Sequence, residues 1–187
     1  MAILSDVQIT ALVAGEPITK ALPWSSGDDH WVQAFYRNVC ESLCEKLELR
    51  SMVKCIDEGY VSYIDAWFYR PDAQFKASQP SDYDEEYSGL CVLLSRLSPY
   101  FAFIQGEKGW SVDRGFSYLP SFEMVDQFTS AHVATLAAQV EPLLLEKGLR
   151  RVSKSELAQL LTSDVGLDTN LAHGQLRQFD ALFHWYD

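Results

Sequence analysis

Four histidines, four cysteines and one carboxylate set in an apolar run are the side chains that chemistry would recruit first from this chain. His30, His132, His173 and His184 lie far apart, and no two have the spacing of paired metal ligands. His30 and His132 fall near expected helix starts, and His184 in an expected final strand. Cys40 and Cys44 are one helical turn apart, Cys55 and Cys91 fall in strand-like runs, and the Cys-x-x-Cys knuckle is missing. Buried, reduced thiols of a cytoplasmic protein are the expectation, because a free cysteine behaves as a small hydrophobe. The sequence has no Gly-x-Ser-x-Gly elbow, Gly-rich phosphate loop or His-Glu-x-x-His pair. Asp65 stands out between Tyr63 and Trp67, where a carboxylate costs free energy unless it is paired or wet. An edge position would leave it wet, and Arg70 or Arg96 could pair with it. With Glu107-Lys108 it loosely matches the acidic and lysine elements of restriction-like nucleases, but the Glu-x-Lys spacing is absent. The reading is no catalytic residue, no cofactor and no metal site. An enzyme of unknown type would have to gather Asp57, Asp65, Glu107 or a histidine in one pocket.

Charge points toward binding. The 187 residues carry a formal net charge of -11, which disfavours phosphate backbones and anionic lipid and favours a basic protein partner. Neither nucleic acid nor a membrane is an expected partner. The stretch from Asp72 to Glu86 concentrates this charge, with Asp72, Asp82, Asp84, Glu85 and Glu86 against Lys76 alone. Tyr83 and Tyr87 interleave with the carboxylates. Such a loop can steer toward Arg or Lys while its tyrosines supply rigid contact area, or it can simply be solvated. The residues offered for partner binding are Asp82, Tyr83, Asp84, Glu85, Glu86 and Tyr87, with Trp110 and Tyr118 as a second, aromatic surface. The order of an EF-hand calcium loop is absent. Arg150, Arg151 and Lys154 before a short helix make too small a basic patch for a helix-turn-helix.

The elements that must position these residues follow from periodicity. A hydrophobic fraction of 48% and an aromatic fraction of 13% exclude a disordered chain and give one domain, residues 1–187, a real core. Asp6 to Val13 alternates and predicts a strand, and its early Asp6 and missing basic region set it apart from a signal peptide. A helix is predicted from Asp28 or Asp29 to Leu47, with one buried face formed by Trp31, Phe35, Val39, Leu43 and Leu47 and by Val32, Tyr36, Cys40 and Cys44 beside them. Ser51–Asp57 and Tyr60–Arg70 read as strands around a Glu58-Gly59 turn, followed by a loop from Pro71 to Ser88 that contains Pro80. Leu90–Leu97 and Tyr100–Gln105 are apolar on both faces, as covered central strands are. Gly106-Glu107-Lys108-Gly109 is expected to turn the chain into a segment from Trp110 to Tyr118. Thr129 or Ser130 caps a second long helix, in which Pro142 predicts a kink or break and Gly148 marks the end. Ser153 and Glu156 open a short helix through Leu161, and Phe179 to Asp187 alternates like a last strand. The sum is an α+β domain, a largely antiparallel sheet packed by two long helices and a short third one. No stretch approaches the roughly 20 apolar residues that a bilayer span needs.

The run GLCVLLSRLSPYFAFIQGEKGWSVDRGFSYLP, from Gly89 to Pro120, and the closing FDALFHWYD, from Phe179 to Asp187, together resemble small immunity proteins of bacterial polymorphic-toxin and type VI secretion systems. The nearest group is the immunity protein 52 family. The resemblance rests on hydrophobic strands, a Gly-x-x-Gly-Trp turn and an aromatic-acidic C-terminus, over about a quarter of the chain. It implies a cytoplasmic monomer or homodimer that binds a cognate toxin domain, a basic nuclease, and blocks it stoichiometrically. A small enzyme and an adaptor or scaffold subunit stay open as the other readings.

Overall fold

A capping box at Ser5 sets the chain's first element and makes it a helix, not the strand predicted there. The Ser5 hydroxyl accepts from the Gln8 amide at 3.4 Å, and the Ser5 amide donates to the Gln8 side-chain oxygen at 3.0 Å. Helix α1 (Asp6–Val13) then buries Ile9 and Leu12, three apart, and leaves Val7 80% exposed. Strand propensity in its β-branched residues is overridden by the cap and the tertiary contact. The computed structural model describes residues 3–54, 61–77, 82–162, 166–167, 169 and 174–185. The expectations placed on Cys55, Asp57, the Glu58-Gly59 turn, Tyr60, Pro80, His173, Tyr186 and Asp187 lie outside the described residues.

Helix α2 (Asp29–Leu47) starts where predicted, with the Asp28 carboxylate accepting from the His30 amide at 2.9 Å. Its buried apolar residues fall within the expected face, turned toward its Val32–Tyr36–Cys40 side. Val32, Tyr36, Val39, Cys40 and Leu43 face inward, and Trp31 remains 59% exposed. The Tyr36 hydroxyl fixes that rotation by donating to the Ser95 carbonyl at 2.7 Å.

Among the described residues six strands form one sheet: β1 (Arg50–Lys54), β2 (Tyr63–Tyr69), β3 (Glu85–Ser95), β4 (Tyr100–Trp110), β5 (Gly115–Ser117) and β6 (Arg150–Arg151). The first five run antiparallel in sequence order, and β6 pairs parallel with β4 at Tyr100 and Phe101. Two boundaries differ from prediction. Glu85, Glu86 and Tyr87 belong to β3, opposite Trp110, Gly109 and Lys108, so the acidic stretch is strand from Glu85 onward. Gly106 to Gly109 is the middle of β4, not a turn. The turn comes at Ser111–Arg114, closed by the Ser111 amide on the Arg114 carbonyl at 2.8 Å.

Helix α3 (Ala131–Glu146) is capped by Ser130 and runs unbroken through Pro142. Both Pro142 and Ala138, the residue one turn before it, are exposed, so the carbonyl left without its usual donor faces water. Gly148, at φ +80°, ends the turn after α3, as expected. Helix α4 (Lys154–Leu157) keeps the predicted capping box but stops before Leu160, which is 48% exposed. Helix α5 (Gln178–Leu182) replaces the predicted final strand. All five of its residues are buried, and the Asp180 carboxylate accepts from the Arg177 amide at 2.6 Å. The apparent alternation of Phe179 and Asp180 was therefore never an inside–outside pattern.

The helices divide between the two faces of the sheet. Helix α3 packs on β3 and beside α2, over the face carrying Leu90, Val92, Phe101 and Phe103. Helix α5 packs on the other face at the Tyr63 end, where the Phe183 and Tyr63 rings meet at 6.4 Å. One contiguous core runs from Leu4 to Phe183. Among the described residues no helix is long and apolar enough to cross a membrane.

Candidate functional site

Polar side chains gather at two places on the sheet, and Asp28, Asp29, Ser62, Arg96 and His184 line a further cavity beside the start of α2. The first lies on the α5 face of the sheet, past the end of α5. Strand alternation puts Asp65 and Trp67 of β2, Cys91 of β3, and Gly106 and Lys108 of β4 on that face. Gly89 and Gly106 sit directly opposite each other and open a trough across β3 and β4. The Trp67 indole lies over Gly89 and donates to the Gly106 carbonyl at 2.9 Å. The Tyr118 ring lies over Gly106 from the other side, so closely that a Cβ there would fall within the ring. Its hydroxyl donates to Asp65 Oδ1 at 2.6 Å, and the Cys91 thiol donates to the same oxygen at 3.2 Å. Lys108 Nζ stands 3.8 Å from Asp65 Oδ2 and lies 5.4 Å from the Trp67 ring and 5.0 Å from the Tyr118 ring.

Asp65 and Lys108 are only 5% and 2% exposed, so this is an ion pair inside the protein. Such a pair returns its desolvation cost only when further hydrogen bonds complete it, as Tyr118 and Cys91 do here. Asp65 is thus paired, but with Lys108 and not with either arginine considered for it. Arg70 donates to the Leu47 carbonyl and Gln139, and Arg96 grips Asp29 at the start of α2. Glu107, the other half of the nuclease-like dipeptide, points to the opposite face and is exposed. Burial, and then the neighbouring Asp65, raise the Cys91 thiol well above its ordinary pKa, which holds it in the unreactive protonated form. The Tyr118 hydroxyl is raised too, by burial first and then by Cys91 and Asp65. These are hydrogen-bond donors held on a carboxylate. Among the described residues no three His, Cys, Asp or Glu side chains are placed to hold a metal ion.

The second place is the acidic end of the sheet. Asp82 and Asp84 are exposed, Tyr83, Glu85 and Glu86 are half-buried, and Tyr87 is buried. The β4–β5 turn braces the segment before β3. Ser111 Oγ accepts from the Asp84 amide at 3.0 Å, and Arg114 donates to the Asp82 carbonyl at 2.6 Å. Tyr83 is held between the Arg114 guanidinium, 5.1 Å from its ring, and Phe116, at 4.9 Å. Tyr87 donates to Glu85 at 2.6 Å, and this bond, ahead of burial, pushes its pKa up to about 12. Its ring joins a ladder with Tyr69 at 4.8 Å and Trp110 at 5.8 Å, while Tyr69 stacks on Trp67 at 4.6 Å. Trp110 is half-buried within this ladder, and Tyr118 turns inward to Asp65. The structure therefore brings Asp82, Tyr83 and Asp84 together at the surface and carries Tyr87 and Tyr118 away from it.

Sequence reasoning set Lys108 beside Asp65 only as a nuclease-like element and Gly106 in a turn, and it gave Gly89, Ser111 and Arg114 no role. A period-2 reading of residues 100–110 would have placed Lys108 on the same face as Ile104 and Trp110 and revealed an inward lysine. No sequence signal assigns Arg114 to Asp82. No family of known proteins, no curated protein and no solved structure matches this chain.

Proposed function

We propose that this protein is an immunity protein, a stoichiometric inhibitor that binds a basic antibacterial toxin domain of the nuclease class through the acidic end of its sheet. The observation that carries the reading is the bracing of exposed Asp82 and Asp84 by Ser111 and Arg114, with Tyr83 clamped between Arg114 and Phe116. Ordering entropy is a main cost of association, and a braced acidic segment has lost much of it in advance. A nuclease surface is basic because it must hold phosphates, so carboxylates in that arrangement speed encounter and can stand where phosphates would. The net charge of -11 acts in the same direction over longer range. The resemblance of Gly89–Pro120 and Phe179–Asp187 to immunity proteins supports the reading from the sequence side. A cytoplasmic location belongs to the proposal, since such inhibitors meet the toxin inside the producing cell.

The test is co-expression with the toxin domain encoded beside this gene. Survival of cells that otherwise die is the expected result. Death at the same rate, with no association of the purified pair, overturns the reading.

A further inference from the structure

Four rings stand in contact along the sheet face that carries Asp65: Trp67 and Tyr69 of β2, Tyr87 of β3 and Trp110 of β4. Trp67 stacks on Tyr69 at 4.6 Å, Tyr69 meets Tyr87 at 4.8 Å, and Tyr87 meets Trp110 at 5.8 Å. Trp110 also approaches Trp67 and Tyr69, at 6.5 and 6.0 Å, which closes the four into one cluster. Each ring therefore lies one short electron-transfer step from the next. Trp67, Tyr69 and Tyr87 are buried, and half-buried Trp110 is the opening of the cluster to solvent.

The polar groups around the cluster make its two ends unequal. At one end the Trp67 indole donates to the Gly106 carbonyl at 2.9 Å, and a neutral carbonyl does not take the indole proton. The buried Lys108 ammonium lies 5.4 Å from the same ring and opposes positive charge there, although Asp65 offsets part of its field. At the other end the Tyr87 hydroxyl donates to the Glu85 carboxylate at 2.6 Å, and a carboxylate can take the phenol proton as the electron leaves. Glu85 also stands directly opposite Trp110 in the β3–β4 ladder. Lys76, 6.0 Å from the Tyr87 ring, is exposed and screened, and the tyrosyl radical formed there is neutral. Loss of an electron is thus disfavoured at Trp67 and favoured at Tyr87.

We propose that this cluster is a radical relay, in which a one-electron oxidant that strikes Trp110 or Trp67 leaves its radical on Tyr87. The oxidant is a small oxidising radical of the peroxyl or azidyl class, which takes one electron from an indole and becomes an anion. In the relay step one electron passes from Tyr87 to the tryptophan radical cation and restores the neutral indole. The Tyr87 hydroxyl proton passes to Glu85, which leaves a neutral tyrosyl radical and a neutral carboxyl. An indole proton lost to water at Trp110 is regained from water. The relay does not rest on the inhibitor reading, and its readouts involve no partner, so either assignment can fail without the other.

The experiment generates azidyl radicals by pulse radiolysis in a solution of the full chain carrying Trp31→Phe, which removes the most exposed indole. Azidyl oxidises tryptophan first, and the indole and phenoxyl radicals absorb at different wavelengths. The indole signal is expected to decay into the phenoxyl signal in a first-order step whose rate does not change with protein concentration. Tyr87→Phe keeps the ring in the cluster and removes only the hydroxyl, so the fold survives it, and it should abolish most of that step. Glu85→Gln keeps an acceptor oxygen but no base, and it should slow the step. Tyr100→Phe, ten residues along β4 from Trp110, should leave it unchanged. Conversion at the parent rate in Tyr87→Phe or in Glu85→Gln overturns the proposal. So does a rate proportional to protein concentration, since the electron would then pass between molecules.

Discussion

Gly106→Ala tests the interlock on the sheet face most sharply, because it adds one methyl group and removes nothing. Built on this backbone, that methyl falls within the Tyr118 ring. Either the ring moves, and its 2.6 Å hydrogen bond to the Asp65 carboxylate is lost, or it stays and the strand is strained. A hydrogen bond to a charged partner contributes about 1.5–3 kcal/mol, and overpacking of this kind costs about 1–3 kcal/mol. Removing a glycine returns about 0.4–1 kcal/mol through the unfolded chain. The net expectation is a loss of about 0.5–2.5 kcal/mol, which a urea titration reads as a lower midpoint at unchanged slope. A double-mutant cycle then assigns the cause. In a Tyr118→Ala background the methyl has room, so Gly106→Ala should cost nothing or stabilise slightly. A loss below about 0.5 kcal/mol in the wild-type chain, or the same loss in both backgrounds, refutes the reasoning.

Three further outcomes follow from the same contacts. Asp65→Asn leaves the Lys108 charge buried without its counter-charge and should cost about 3–5 kcal/mol, whereas Asp65→Asn with Lys108→Met should recover much of it; additive losses in denaturation would contradict the pairing. His184 is 3% exposed, and burial lowers its pKa below 6.5 against the opposing Ala181 and Asp180 carbonyls. The folded state then favours the neutral ring, so this contribution is complete above the unfolded value of about 6.5 and declines as pH falls below it, by at most about 1.4 kcal/mol per pH unit. His184→Gln should flatten that part of the stability profile; an equal acid slope in both proteins would contradict it. Burial raises the Asp180 pKa, and that carboxyl acts in the opposite sense, but its contribution is common to both chains and drops out of the comparison. Alkylation mapped by mass spectrometry should leave Cys40 and Cys91 unmodified in the native protein, since burial raises both thiols, Cys40 to about 12; modification of Cys91 at the rate of half-buried Cys44 would contradict the packing around Asp65.

The centre of the molecule was legible in the sequence and its two ends were not, for a physical reason. Residues 90–105 and α2 carry many apolar positions at one period, and a signal spread over that many residues survives local exceptions. Helices α1 and α5 are eight and five residues long, and both contain alternations that fit a strand equally well. At α1 the choice was made by one hydroxyl and one amide, and at α5 by burial on every side. The glycines of β4 misled in a different way. Gly106 and Gly109 read as a turn, whereas each removes a side chain where Tyr118 and Phe116 cross the sheet. Asp65 was recognisable as an anomaly from its neighbours alone. Its partner was not, because Lys108 sits on a strand two places away in the sheet and lay inside that supposed turn. For the acidic stretch, composition located the charge, and only the tertiary braces from Ser111 and Arg114 separate exposed Asp82 and Asp84 from buried Tyr87.

The inhibitor reading is tested most directly by titration calorimetry of this protein against the cognate toxin domain that the reading requires, at low and at physiological salt. A saturable complex is expected, weaker at higher salt, with Asp82→Lys, Asp84→Lys and Glu85→Lys together lowering affinity and flattening the salt dependence. No heat of association at either salt concentration contradicts the function. A tight complex that ignores the three charge reversals contradicts the surface assigned to it.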